Sequence, residues 1–189
     1  MTKIKAEFRK VDVDKIMKTI ENMSEDNIKK IVMRAGRRAA DAGRTETKRQ
    51  ISAETTLKPA LIHEKVRPYH HDMAIGMLIS DAARPLSDFA FTPKIPKRKA
   101  NPVVEIYKGK KTVLSKGAFV QRMPKTGHIG IYERETDKAL PIRQLAGPSI
   151  TGLFKANDAI NEKVQNRIFE IFETRVEHEL NQILGIRNS

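Results

Sequence analysis

The chain has no cysteine and no tryptophan. Without thiols it can form neither disulfides nor thiolate metal sites, and no cysteine nucleophile is available, a pattern that fits a reducing compartment. Aromatic residues make up 5% of 189 positions, too few for the stacking platform on which single-stranded nucleic-acid binders rely. No apolar run approaches the roughly 18 residues that a membrane span needs. The opening Met1-Thr2-Lys3-Ile4-Lys5-Ala6-Glu7-Phe8-Arg9 lacks the apolar stretch and small-residue cleavage site of a secretory signal. Neither export nor a membrane partner is therefore expected. What remains, 39% apolar and 31% charged residues, describes one domain over residues 1–189 with a real core and much exposed surface.

Charge is plentiful and of one dominant sign. The 36 basic and 23 acidic side chains leave a net charge of +13, which favours encounters with nucleic acid or acidic protein surfaces. Residues 1–100 carry +9, residues 101–150 carry +5 and residues 151–189 carry −1. A basic body and a near-neutral C-terminal arm suggest that one surface faces a polyanion while the arm serves protein packing.

The apolar pattern predicts an α+β fold, in which N-terminal helices and a long C-terminal helix flank a small antiparallel sheet. In residues 1–67, Val11, Val13, Ile16, Met17 and Ile20 recur at helical spacing. Ser24, Glu25 and Asp26 then read as the start of a long helix to about residue 52, with a face of alanine and glycine that a partner element can approach closely. Thr56 can cap a short helix that Pro59 enters in its first turn and that ends near Arg67-Pro68. Residues 68–153 are strand-rich. Strands are expected at 73–79, 103–107, 112–114, 118–122 and 128–133, with a mobile, proline- and lysine-rich loop at about 92–102. In residues 155–185, Ile160, Val164, Ile168, Phe172, Val176 and Leu180 define the clearest helix, closed by Gly185. Ile171 and Phe169 widen its stripe, so contact with the chain's own sheet and with a neighbouring subunit are both open. The residues expected at a subunit interface are Ile168, Phe172, Val176 and Leu180.

Catalytic machinery is not visible. His70 and His71 are neighbours in an extended segment and point to opposite faces, and His63 lies seven residues upstream with no ligand pair at metal-binding spacing. Ser80, Ser87, Ser115 and Ser149 stand outside any nucleophile-elbow context, and no phosphate-binding or dinucleotide fingerprint occurs. Glu133 and Glu135 share a strand face, but nearby arginine and lysine point to surface ion pairs. The reading is a protein that is not an enzyme, with no cofactor and no metal.

One ordered series of fragments stands out: Arg44-Thr45-Glu46-Thr47-Lys48-Arg49-Gln50-Ile51, Leu61-Ile62-His63-Glu64-Lys65-Val66-Arg67, Arg84-Pro85-Leu86-Ser87-Asp88-Phe89, Gly117-Ala118-Phe119-Val120, Gly127-His128-Ile129-Gly130-Ile131-Tyr132-Glu133-Arg134, and Leu140-Pro141-Ile142-Arg143-Gln144-Leu145-Ala146-Gly147-Pro148-Ser149-Ile150. From about Ala39 to Leu153 this order resembles the phage minor tail protein Z family, the lambda-type tail completion proteins. The basic stretch from Pro93 to Lys99 departs from that pattern.

The resemblance implies a structural virion protein of the head-tail neck, made in the host cytoplasm and carried in the tail. It implies a cyclic ring of identical subunits, expected to be a hexamer. The partners implied are the tail terminator, the head-completion and connector proteins, the tail tube and, without sequence preference, genomic double-stranded DNA. A DNA lumen must tolerate phosphates without gripping any sequence. The residues expected to face DNA are Arg34, Arg37, Arg38, Lys48 and Arg49, with Lys97, Arg98 and Lys99 as a second patch. The same surface could meet acidic neighbouring rings. A rival reading is a sequence-specific helix-turn-helix-like DNA-binding protein, built on the basic helix, break and short helix between Arg44 and Arg67. An RNA-binding protein is a weaker rival, supported by charge alone.

Overall fold

The structure, a computed structural model, describes residues 2–5, 24–71, 74–80, 82–93 and 101–183. The helix expected over residues 11–20, most of the basic loop (94–100) and Gly185 lie outside them. The fold is mixed α+β, with two long helices and small antiparallel sheets.

Helix α1 (Glu25–Glu54) forms where the sequence places Ile31, Ala35, Ala39, Gly43, Thr47 and Ile51 at intervals of four, all of them buried. Small residues dominate this row, and no proline interrupts it. Ser24 sits extended at the N-cap without a side-chain cap bond, and Glu25 and Asp26 complement the helix dipole in the first turn. The helix stops at Thr55, whose N–H and hydroxyl both donate to the Ile51 carbonyl oxygen, at 2.9 and 2.8 Å. Thr56 does not cap the short helix α2 (Pro59–Lys65), whose N-cap is Lys58. Its hydroxyl instead donates to the Glu105 carbonyl oxygen and accepts from the Ala90 N–H, tying the end of α1 to the strands.

The C-terminal region divides into α3 (Ile150–Lys155) and α4 (Asp158–Ile183). Asn157 causes the break: its side-chain oxygen accepts from the Ala159 and Ile160 N–H groups, the N-cap arrangement. Its amide donates to both carboxylate oxygens of Glu54 at 2.8 Å. The start of α4 is thus fixed to the end of α1, while Arg34 near the start of α1 pairs with Glu179 near the end of α4. The two helices run antiparallel.

Along α4, Ile160, Val164, Ile168, Phe172 and Val176 again recur every four residues, none more than 7% exposed. Rows of this spacing are the ridges by which helices interdigitate, and each such side chain contributes roughly 1.5–3 kcal/mol on burial. The rows meet at Gly43, where a Cβ would lie 2.7 Å from Ile168 Cδ1 and 3.2 Å from Met77 Sδ. Helix α1 is therefore packed between α4 and the strand that carries Met77. The four residues expected at a subunit interface are used differently: Ile168, Phe172 and Val176 are buried within the chain, and Leu180 is half-buried against the same core. The first three close the fold of the single chain.

The strands are antiparallel as expected, but they divide among four small sheets. One holds β1 (Thr2–Lys5), β2 (Val66–His71) and β3 (Ala74–Ile79) in the order β1-β3-β2. Strand β2 replaces the expected end of the short helix, and as an edge strand it accommodates Pro68. A second sheet joins β5 (Ala90–Thr92), β6 (Val103–Glu105) and β7 (Lys111–Val113). A third joins β8 (Ala118–Arg122), β9 (Ile129–Arg134) and β10 (Ile142–Gln144), where Arg143 opposite Glu133 makes the surface ion pair at 2.9 Å.

The fourth pairs β4 (Ala83–Pro85) with β11 (Ala146–Ser149), in segments the sequence reading left without strands. The Leu86 N–H donates to the Leu145 carbonyl oxygen, and a Cβ on Gly147 would come within 2.9 Å of Leu86 Cδ2. Glycine leaves room there for the ends of the Leu86 and Phe89 side chains. Ser149 then caps α3, its hydroxyl accepting from the Gly152 N–H.

Candidate anion-binding cleft between the long helices

Where the solvent-facing flanks of α1 and α4 diverge, they leave an open cleft of about 1050 Å³. Its α1 wall comes from one stripe at helical spacing: Arg38, Asp41, Ala42, Thr45, Glu46 and Arg49. Its α4 wall carries Lys163, Arg167 and Arg175, with Glu170 between them in sequence, and Ala42 and Ile171 supply the apolar part of the lining. Because the helices are antiparallel, Arg38 stands at the Arg175 end and Arg49 at the Lys163 end. Five cations outnumber three carboxylates, and the excess charge is not neutralised locally. Arg49 is paired with Glu46, and Arg167 with Glu170. Arg38, Lys163 and Arg175 are exposed, and no carboxylate among the described residues pairs with them. The arrangement attracts anions by charge.

Glu46 is the carboxylate most withdrawn from solvent here, 9% exposed. Arg49 grips it with two hydrogen bonds of 2.9 and 2.7 Å, and the Gln50 amide adds a third. The hydrogen bonding from Arg49 holds its carboxyl below the ordinary carboxylate range against the opposing effect of burial, with Gln50 and the charges of Arg49 and Arg167 assisting. The folded chain therefore takes up this proton less readily than the unfolded chain. Glu46 contributes stability above its unfolded pKa and loses it as pH falls through the depressed folded value. Denaturation midpoints measured downward from about pH 5 should fall more steeply for the wild-type chain than for Glu46→Gln. Parallel acid limbs would mean that the Arg49 contact does not persist in solution.

The sequence-derived cations fall into three groups. Arg38 and Arg49 line the cleft, and Arg34, one turn before Arg38, is held at 3.0 Å by Glu179. Arg37 is exposed and Lys48 half-exposed on the adjoining flank of α1, outside the cleft. Lys97, Arg98 and Lys99 lie outside the described residues. The cations of α4, Lys163, Arg167 and Arg175, were missed, because a segment charge of −1 hides their segregation. They occupy i, i+4 and i+12 on one side of the helix, whereas Glu162, Glu173 and Glu177 occupy i, i+11 and i+15 on the neighbouring side. All six are exposed. A helical-wheel count would have separated the two flanks.

The α1–α2 unit is arranged differently. Arg44 donates to the His63 carbonyl oxygen at 2.7 Å and approaches its ring nitrogen Nδ1 at 3.1 Å, clamping α2 to α1. Leu57 in the connection is buried. Helix α2 turns Pro59, Ala60, His63 and Glu64 to solvent, and its half-exposed Lys65 is paired with Glu64. Among the described residues no group of three histidines or carboxylates gathers where a metal could be held, and no helix is long and apolar enough to cross a membrane. Compared with known proteins, the chain matches no family model, no curated protein and no solved structure.

Proposed function

We propose that this chain is a structural subunit of a tailed-phage virion, a minor tail or tail-completion protein of the head-tail neck. It forms a ring with copies of itself, joins the tail terminator and head-completion proteins, and contacts genomic DNA without reading its sequence. The reading rests on the ordered fragments that resemble the minor tail protein Z family. The observation that carries it is that fragments far apart in sequence meet in one packed unit. Strand β4, from the Arg-Pro-Leu-Ser fragment, pairs with β11, from the Gly-Pro-Ser fragment. The Leu145 N–H donates to the Ile131 carbonyl oxygen, joining the second of these to the Ile-Tyr-Glu-Arg strand, and that strand pairs with the Ala-Phe-Val strand. A series that packs as a unit is one that a shared fold would preserve in order. Arg37 and Lys48, on the open flank of α1, suit a surface that meets phosphates without base contacts.

The test is the mass of the purified protein by light scattering at low and moderate salt, with and without random-sequence duplex DNA. Expected is self-association, or a monomer that joins isolated neck rings, together with weak binding to any duplex. Arg37→Glu with Lys48→Glu should weaken binding to all duplexes alike and lower the salt slope by about 1 per lost phosphate contact, with unchanged circular dichroism. A stable monomer or dimer that selects one duplex sequence would establish the helix-turn-helix reading instead.

A further inference from the structure

We infer that the cleft between α1 and α4 is the socket for a second copy of this chain, and that the acidic flank of that copy's α4 is what enters it. The inference deepens the ring reading above and rests on it. A DNA duplex does not fit the site, because packed helices lie only about 8–10 Å apart at their axes and the carboxylates of Asp41, Glu46 and Glu170 stand among the cations. A single helix flank is narrow enough, and this chain carries one of opposite charge.

Glu162, Glu173 and Glu177 are exposed, and no cation among the described residues pairs with them. The spacing matches. Glu162 and Glu173 are eleven residues apart, about 16 Å along a helix at 1.5 Å per residue. Arg38 and Arg49 on one wall of the cleft are also eleven apart, about 16 Å, and Lys163 and Arg175 on the other are twelve apart, about 18 Å. Two centres of negative charge therefore meet two of positive charge, with Ala42 and Ile171 as the apolar part of the lining. Socket and flank are different surfaces, so each copy can give one and receive the other. Such a head-to-tail contact closes into a ring when its rotation allows.

Two exposed-site variants test this by light scattering at about 0.15 M salt, where repulsion between net-positive copies is screened over about 8 Å. The socket variant is Arg38→Glu with Lys163→Glu and Arg175→Glu; the flank variant is Glu162→Lys with Glu173→Lys and Glu177→Lys. Each alone should associate on the order of a hundredfold more weakly than the wild type, with unchanged circular dichroism. Mixing the two should restore assembly, because each variant then presents opposite charge to the other, and one chain carrying all six changes should assemble by itself. Association that survives both reversals overturns the socket while leaving the ring reading intact. A wild-type chain that stays monomeric alone but joins neck rings also overturns the socket alone. Loss of duplex binding in the socket variant without any change in mass would assign the cleft to DNA.

Discussion

Gly43→Leu should leave the chain unable to reach its folded state, and Gly43→Ala should lower its stability even though alanine is the better helix former. Replacing a mid-helix glycine by alanine ordinarily gains about 1 kcal/mol. Here the new methyl would stand 2.7 Å from Ile168 Cδ1 and Cγ1 and 3.2 Å from Met77 Sδ, and Ile168 and Met77 are each 2% exposed. Neither neighbour can swing into solvent, so overpacking, which costs about 1–3 kcal/mol, outweighs the propensity gain and leaves a net loss of about 1 kcal/mol. Leucine adds three more carbons to a space that cannot hold one. Urea denaturation followed by circular dichroism measures both variants. Ile168→Val, introduced with Gly43→Ala, should recover part of the loss, a coupling expected only of side chains in contact. Gly43→Ala with a higher midpoint than the wild type would mean that α1 and α4 do not approach this closely.

Phe172→Ala should cost about 3–5 kcal/mol, the range for a large aromatic removed from a core, and Phe172→Asp should cost more by burying a charge. Phe172 is 7% exposed within a single chain, in the same row as Ile168 and Val176. Its contribution is therefore to the stability of the monomer. The discriminating observation is the effect of protein concentration: a residue that stabilises the monomer lowers the denaturation midpoint by the same amount at every concentration, whereas loss of a subunit contact makes the loss concentration-dependent. A soluble, folded Phe172→Asp monomer would return this residue to the role that sequence reasoning gave it.

That difference shows what the sequence made legible. The rows on α1 and α4 repeat at helical spacing over many turns, so both helices and their apolar stripes could be read directly, whereas the buried Glu46, Thr47 and Gln50 of α1 could not. Periodicity states that Phe172 is covered, but not whether its own chain or a second one covers it. The hairpin of β8 and β9 was marked by alternation and by a turn containing Pro124 and Gly127. Strand β2 was legible only as an extended segment at His70 and His71, because Pro68 does not read as part of a strand, and the position at a sheet edge that makes it tolerable is a property of the fold. Strands β4 and β11 contain three and four residues, too short for an alternation to register, and they pair across more than sixty residues of sequence. In the candidate site, Arg38 and Arg49 were found through the density of basic residues on α1. Lys163, Arg167 and Arg175 were hidden by the glutamates on the next flank of the same helix.

The antiparallel pairing of α1 with α4 also constrains the order in which the molecule can form during synthesis. Helix α1 ends at Glu54 and α4 begins at Asp158, so about a hundred residues emerge from the ribosome before the α4-facing side of the α1 row meets its cover. Such distant pairing slows folding, because the entropy of closing the long loop is lost before the contacts form. A nascent chain arrested before Ile160 would have the side of this row that meets Met77 covered, but would still display the side that Ile168 covers in the finished fold.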